Sequence, residues 1–206
     1  MKRWFILLCI LLACAALPAE EITFSGGSTR MSMQQGFQTI TLGGGARITS
    51  GSIELYADQI VLSGSDFRYV TCTKGVKLID TERGIKMLAQ HLFFDREEQL
   101  ILIDGFVELD DTTNEVHATA FMMQFALEQG EVLLQVEVRL FKHTDSGAMV
   151  CKSDVLRFNR TNQTLELKGK ATIDWAGDRY EAERITVDLE TEEIAMDGAI
   201  KGVING

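Results

Sequence analysis

The sequence predicts an all-β protein, an elongated antiparallel β-jelly roll (β-taco) of stacked units of about 30 residues. Glycine-led strand starts recur along the chain, and the first two intervals are 30 residues each: Gly45, Gly75, Gly105, Gly169 and Gly198. A fixed period of this length is typical of repeat architectures. The single proline is Pro18, so every later backbone amide can donate to a sheet.

Each unit is expected to contain three pieces. After an opening region at 22–42 comes a glycine-led strand, as in Gly105-Phe106-Val107. A second strand alternates about a small residue, and a polar turn then leads to the strand that reaches the next glycine. Such a unit cannot bury its apolar face alone, so the units must stack. The alternation along 121–127 favours strand over helix there.

The second strand of each unit shows a phase shift. Ile53, Leu55 and Ala57 alternate, but the apolar set resumes three residues after Ala57, at Ile60. A one-residue slip turns the faces of a strand over unless the chain bends or bulges. The units are therefore predicted to pass from one sheet to a second at a shared corner, with both inner faces apolar. The corner is predicted at a small residue in each unit: Ala57, Ala89, Ala118, Cys151 and Ala182.

Residues 1–19 have the order of a secretory signal peptide. Lys2 and Arg3 precede an apolar run at 4–12, and small residues lead to a cleavage site after Ala19. The run is shorter than the span of about 20 residues that a transmembrane helix needs. Two alternatives stay open, an uncleaved membrane anchor and a lipoprotein modified at Cys14. Residues 20–206 are predicted to form a single domain.

The net charge and the positions of the cysteines limit the possible partners and disulfides. The formal net charge is −10, which makes nucleic acid a poor partner. Export to an oxidising compartment would permit a disulfide between Cys72 and Cys151. The two lie more than two units apart, however, so strand spacing of about 4.8 Å separates them by roughly 10 Å or more, beyond the reach of a bridge. We expect both thiols to be free and buried.

The chain offers little catalytic chemistry. The three histidines, His91, His117 and His143, have different offsets within their units, which favours surface positions over a metal site. No nucleophile, metal or phosphate-loop motif is present, and the acidic residues, such as those at 110–111, fall at turns and outward positions. We predict a protein that is not an enzyme and uses no cofactor. A glycan-acting β-solenoid enzyme would need acidic residues converging on one face.

What remains is an apolar interior. If the two sheets open into a V, their inward positions form a groove able to take acyl chains. If the sheets close, the same residues fill an ordinary core, and the protein is a structural or adhesive repeat. The groove candidates are Ile60, Leu62, Leu92, Phe94, Phe121, Met123, Phe125, Leu156, Phe158 and Val187.

The repeat resembles the OstA-like/LptA family over about residues 40–200. The resemblance is carried by the leader, by the glycine-led strands at Gly75 and Gly105, and by the "A-x-x-hydrophobic" strands that begin at Ala57, Ala89 and Ala182. It implies a periplasmic β-taco that carries lipopolysaccharide in an apolar groove. It also implies end-to-end pairing, with itself or with sister transport proteins, through exposed terminal strands, which bridges the inner and outer membranes.

The family has no sharp binding motif, so the resemblance assigns no functional residue. The fourth unit departs from the pattern, with Val136 in place of glycine and Asp154 in place of an apolar residue. The acidic net charge also fits poorly with a phosphorylated glycolipid. Either the headgroup stays in solvent or the cargo is another lipid. An anchored member of the family, similar to the LptC branch, would keep its leader.

Overall fold

The structure, a computed structural model, describes residues 21–34 and 37–205. The predicted signal peptide at 1–19 lies outside the described residues. The described chain is almost entirely strand, interrupted by one short 3₁₀ turn at Ser65–Phe67. The strands are β1 (Ile22–Ser25), β2 (Ser28–Gln34), β3 (Phe37–Ser50), β4 (Ile53–Ser63), β5 (Tyr69–Asp80), β6 (Ile85–Asp95), β7 (Leu100–Asp111), β8 (Val116–Ala126), β9 (Glu131–Thr144), β10 (Gly147–Asn159), β11 (Thr164–Trp175), β12 (Asp178–Asp188), β13 (Glu193–Asp197) and β14 (Lys201–Val203).

The strands form one continuous antiparallel sheet. From β3 to β12 each strand pairs with the next one along the chain. At the start, β1 and β2 pair with opposite halves of β3, and at the end β13 and β14 pair with opposite halves of β12. The predicted all-β fold of stacked antiparallel units is confirmed. The two predicted sheets are the two halves of a single sheet that folds lengthwise.

A line of bulges divides the sheet into two layers. Every strand pair from β3–β4 to β11–β12 shifts register near its middle. The first layer comprises 46–50, 53–57, 76–80, 85–89, 107–111, 116–120, 138–144, 147–153, 171–175 and 178–182, with β1 and β14. The second layer comprises 37–43, 59–63, 69–73, 91–95, 100–104, 122–126, 131–135, 155–159, 164–168 and 184–188, with β2 and β13.

The odd-numbered strands bend at residues with a left-handed backbone. In β5 the bend is at Lys74 and Gly75, with φ of 64° and 61°. Glycine enters this region at no steric cost, which explains the glycine period of the sequence. In β9 the same bend is made by Val136 and Glu137, with φ of 66° and 52°. A β-branched residue in this region is strained by about 1–3 kcal/mol. The fourth unit therefore keeps the left-handed backbone of this bend although it has Val136 in place of glycine.

The even-numbered strands bend after a small buried residue, and three of the five predicted corners are in the right place. Two lie two residues further on: the inward pattern in β8 runs from Ala120 to Met123, and in β10 from Ser153 to Leu156. Adjacent strands bring these positions together in one row, which we call the crease. It consists of Ala46, Ala57, Val76, Ala89, Val107, Ala120, Val138, Ser153, Ala171 and Ala182, all buried.

The two layers share one apolar core. Inward side chains of both layers belong to a single cluster of buried residues that runs from Ile40 to Val187. The turns alternate between two rims. The first-layer rim holds 51–52, 81–84, 112–115, 145–146 and 176–177, and the second-layer rim holds 64–68, 96–99, 127–130, 160–163 and 189–192. The margin opposite the crease, where these rims meet, is called the mouth.

Candidate functional site: the apolar interior and its mouth

Nine of the ten predicted groove residues lie in the interior. Each is at most 3% exposed: Ile60, Leu62, Leu92, Phe94, Met123, Phe125, Leu156, Phe158 and Val187. The side chains come from β4, β6, β8, β10 and β12, all in the second layer. The sequence therefore identified one wall of the interior. The facing wall, from the first layer, includes Leu55, Leu78, Met87, Leu109 and Leu140.

Phe121 is the exception. Its side chain is 43% exposed and meets Phe106 edge-to-face on the outer surface, with the ring centroids 5.7 Å apart. The prediction was wrong because it placed the bend of β8 after Ala118 instead of Ala120. With the bend two residues later, position 121 faces outward and Met123 takes the first inward position.

The two layers are closed against each other, and their inward side chains form one buried cluster. At the end near β1, the space between the layers is lined by Ile48, Ile53 and Leu55 on one side and Leu62, Val70 and Phe94 on the other. Its volume is about 10 Å³, which is room for about one water molecule. An acyl chain can enter only if the layers move apart.

Only side chains hold the mouth closed. Backbone hydrogen bonds between turns run along each rim, as from Thr112 to Gly84 and from Arg160 to Gly130. Within the described part of the chain, no backbone hydrogen bond and no strand pairing joins one rim to the other. The cross-rim contacts, which we call the seam, are Ser50–Arg96, Arg83–Arg160, Asp111–Arg160, Asn114–Gln163 and Ser146–Glu192.

The centre of the seam is a buried ion pair. Arg160 donates from Nε to Asp111 Oδ2 at 2.5 Å and from Nη2 to Oδ1 at 3.1 Å. Its Nη2 also donates to the carbonyl oxygen of Arg83 at 2.8 Å. The side chains of Arg160 and Asp111 are 11% and 0% exposed. The guanidinium carbon lies 5.8 Å from the ring centroid of Phe125, so the arginine covers the interior directly.

An amide pair extends this centre. Gln163 Nε2 donates to Asn114 Oδ1 at 2.5 Å, and Asn114 Nδ2 donates to Asp111 Oδ2 at 2.7 Å. Asp111 was expected on a solvated face; its burial corrects that expectation. The carboxylate can be buried because the turn amide of Asn114 and the arginine satisfy its oxygens. Spacing along the chain gave no sign of this pair, because its members are 49 residues apart.

Two further buried carboxylates, those of Asp80 and Asp95, each accept hydrogen bonds from residues of their own rim. Asp95 accepts from Arg68 and from the turn amides of Glu97 and Glu98, and the arginine above all holds the pKa of Asp95 below its usual value. Burial opposes ionisation of Asp80, but hydrogen bonds from Arg83 and Ser52 outweigh it and lower the pKa of that carboxyl. These groups close their own turns and do not cross the mouth.

The remaining polar candidates do not converge. His91, His117 and His143 are exposed, as expected, and the described residues contain no cluster of three or more potential metal ligands. On the outer face of the first layer, carboxylates pair with cations, as in Glu54–Arg47 and Asp174–Arg179. These are exposed ion pairs rather than a catalytic carboxylate pair.

Cys72 and Cys151 are free and fully buried, as predicted. Cys72 belongs to the second layer and Cys151 to the first. Burial raises the pKa of each thiol to about 12. Because the thiolate is the reactive form, neither cysteine should react while the layers stay together.

The outer face of the second layer carries a shallow hollow that the sequence analysis did not find. It measures about 370 Å³, and its apolar floor includes Phe93, Leu102 and Met122, with His91 and Asp104 at its edge. The signal was present as the continuous apolar run at 100–103, since a strand that is apolar on both faces loses its alternation. The interpretation of these runs as inward residues alone overlooked the outer surface.

Both ends of the sheet are open. Every residue of β2 is exposed, including Met31 and Met33, and so is every residue of β14, including Val203. Unpaired strand edges with exposed apolar side chains are templates for pairing with another chain. Among the described residues there is also no helix long and apolar enough to span a membrane.

Comparison with known proteins finds similarity in structure and none in sequence. No protein-family model matches the chain, and no curated protein matches it. Among solved structures, the chain is similar to LptH from Pseudomonas aeruginosa, described as the LptA-homologous periplasmic component of the lipopolysaccharide transport device. The identity is 13%, the TM-score is 0.27, and the alignment covers 91% of this chain and 96% of LptH. Membership in the OstA-like/LptA family stays a prediction.

Proposed function

We propose that this protein is a non-enzymatic lipid carrier whose interior takes acyl chains between the two layers. One observation carries the proposal: an apolar interior extends through the whole stack, and only side chains hold its mouth closed. Here the layers can separate without breaking a backbone hydrogen bond across the mouth.

Binding between the two layers should favour long acyl chains over short ones. Burial of an acyl chain contributes about 0.8 kcal/mol per CH₂ group. That gain must offset the side-chain packing between the layers that is disrupted when they separate. A chain of a dozen or more carbons is therefore expected to bind, and a short chain to be excluded. The headgroup stays at the mouth, because the buried polar residues that the structure describes lie at the rims, apart from Ser153 in the crease.

The setting we propose is the bacterial periplasm, with a lipopolysaccharide-type glycolipid as cargo. The sequence of residues 1–19 supports export, and the open edges at β2 and β14 support end-to-end association, with copies of this chain or with sister transport proteins. Such association would make the apolar interior continuous from one membrane to the other.

Photo-crosslinking with a long-chain fatty acid that carries a terminal diazirine tests the carrier function. Mass spectrometry of the labelled peptides should place the label on interior residues such as Phe125 and Phe158. Met122→Glu, on the floor of the outer hollow, is the matched control and should leave this labelling unchanged. Labelling confined to the outer face, and lost in the control variant, would contradict the proposal. Lipid analysis of the native protein would identify the cargo.

The closed interior favours a second candidate, a structural or adhesive β-repeat. A residual space of about 10 Å³ is what a permanently packed core would show. This candidate predicts no saturable acyl labelling in the interior at any lipid concentration, together with assembly through the strand edges. The same crosslinking experiment therefore separates the two functions.

A further inference from the structure

We propose that the Arg160–Asp111 ion pair, at the centre of the seam, is a latch. It holds the interior closed, and its release lets the layers separate at the mouth. The inference rests on the proposed function for its purpose, since a carrier with a filled interior must open. The latch itself is argued from the contacts across the mouth. It can be tested without any lipid.

The mouth is the margin that can part. At the crease, each strand passes covalently from one layer to the other, and the row of small residues keeps the layers close. At the mouth, turns from different parts of the chain face each other and are joined only by side chains. Rotation of one layer about the crease breaks the seam and leaves the strand pairing within each layer intact.

Arg160 is the strongest element of the seam. It joins two first-layer turns at once, through the carboxylate of Asp111 and the carbonyl of Arg83. Its guanidinium lies over Phe125, which is 0% exposed. When Arg160 leaves Asp111, both charges gain water, and this partly compensates for the broken hydrogen bonds. Rehydration therefore lowers the net cost of separating the pair.

The seam contacts follow one geometric rule. Each joins the first-layer rim to a second-layer turn further along the chain: Ser50 with Arg96, Asp111 with Arg160, and Ser146 with Glu192 are 46, 49 and 46 residues apart, and the Arg83–Arg160 contact spans 77. The Ser50–Arg96 and Ser146–Glu192 contacts lie near the two ends of the stack, and the Asp111–Arg160 contact lies at its centre. The central contact is the buried one, whereas the Ser146–Glu192 contact is exposed.

The chain contains its own reporters of opening. Cys72 and Cys151 face the interior from opposite layers and are 0% exposed. A thiol reagent can reach them only when the layers part or the protein unfolds. Their rates of modification under native conditions, read separately by peptide mass spectrometry, measure the opening equilibrium on both walls.

The first experiment weakens the latch without leaving a buried charge alone. Arg160→Gln combined with Asp111→Asn removes both charges, keeps the side-chain volume at position 111 and shortens the side chain at position 160. We expect the modification rates of both cysteines to rise at least tenfold, with an unchanged far-ultraviolet circular dichroism spectrum. The matched control is Arg157→Gln with Glu131→Gln, which removes an exposed ion pair on the outer face of the second layer and should leave both rates unchanged. Equal rates in the two double variants would overturn the latch.

The second experiment locks the mouth and holds even if the first variant is too unstable to assay. Asn114→Cys with Gln163→Cys places surface thiols on facing rims, and a short bifunctional maleimide joins them. The control joins Gln129→Cys to Thr161→Cys, two neighbouring turns of the second-layer rim. The cross-rim link should lower the modification rates of Cys72 and Cys151 at least tenfold, while the single-rim link should not. Identical rates in the two linked proteins would overturn the proposal.

Lipid uptake then separates the latch from the proposed function. In the locked protein, uptake of the diazirine fatty acid should be lost when the link precedes the lipid. Bound lipid should be retained when the link follows it. If the cysteines respond to the lock but the unlinked protein takes up no probe, the latch stands and the carrier function falls.

Discussion

The crease and the mouth are opposite margins of the same two layers, and they are held together by different interactions. At the crease the backbone itself crosses between layers, and small residues such as Ala120 and Ala182 leave no space to close. At the mouth no segment of residues 21–34 or 37–205 crosses between the layers, and a few polar side chains around Arg160 join the rims. The crease is therefore a covalently connected margin, whereas the mouth is joined by side-chain contacts. We expect that substitutions at the mouth can alter the proposed opening without disturbing the crease.

The largest effect is expected from breaking the mouth with an unpaired charge. Arg160→Ala leaves the carboxylate of Asp111 buried without its cation, and loss of one partner of a buried pair costs about 3–5 kcal/mol. Urea unfolding measures the loss. The double variant Arg160→Gln with Asp111→Asn should lose clearly less stability. If the single and double variants were equally unstable, the buried charge would not be the cause.

A large residue at the crease is the next test. Ala120→Leu adds three carbons where the two layers meet, and overpacking of this kind costs about 1–3 kcal/mol. Ala148, exposed in the first layer, provides the control: Ala148→Leu should be close to neutral in thermal unfolding. A crease that accepts leucine at 120 without loss would be less tightly packed than the structure indicates.

As the pH is lowered, the turns at the rims should lose stability before the packing at the crease is affected. The pKa values of Asp80 and Asp95 are lower in the folded protein than the ordinary value near 3.9. Their contribution to stability is therefore complete above that value and is lost as the pH falls through the folded pKa values. We expect the urea midpoint to drop below pH 4. Asp95→Asn should lower it at pH 7 and flatten the drop, whereas an unchanged slope would exclude this carboxyl as a cause.

A stabilising change is expected at the crease. The hydroxyl of Ser153 is buried and has no hydrogen-bond partner, while the equivalent positions in four other strands are alanine. Removal of an unsatisfied buried hydroxyl is worth about 1–3 kcal/mol. The resulting vacancy offsets part of that gain, so we expect Ser153→Ala to gain about 1 kcal/mol. Calorimetry should show a higher midpoint, and a lower one would mean that the hydroxyl has a partner in solution.

The smallest effect is expected at the bend of β9. Val136→Gly replaces a β-branched residue at φ 66° with the glycine found at the equivalent position of β3, β7 and β11, and relief of the strain favours the folded state by about 1 kcal/mol or more. The greater chain entropy of glycine in the unfolded state offsets about 0.5–1 kcal/mol of this gain. Chemical denaturation should show a small net increase in stability. Lys74→Gly tests the same bend without loss of an apolar side chain.

Much of the fold follows from the sequence, because strand alternation and the glycine period are local signals. Gly75 and Gly105 mark the bends of β5 and β7, and the three-residue step after Ala57 marks the bend of β4. The step in β8 was misplaced because Ala118 and Ala120 are both small, and an outward-facing Phe121 imitated the next inward position. In β10 the polar Ser153 concealed the true corner.

The mouth could not have been predicted from the same signals. Asp111 and Arg160 meet because turns far apart in the chain lie opposite each other once the layers close, and that offset depends on the geometry of the whole sheet. Whether the interior is open or filled also depends on the layer spacing rather than on residue type. The inward-facing residues could be identified from the sequence, but whether the two layers close over them could not. The hollow beside Met122 was missed because alternation rules assign each apolar side chain to one interior.

The order of the strands has a consequence for how the chain reaches its native state. Because each strand pairs with its immediate neighbour in sequence, the sheet has low contact order, and each new hairpin adds to an edge that already exists. A chain that emerges from a translocation channel amino terminus first can therefore assemble unit by unit in the order of its appearance. Only the cross-rim contacts, which join turns 46 to 77 residues apart, must wait for the later units. Closure of the mouth is thus expected to be the last step of folding.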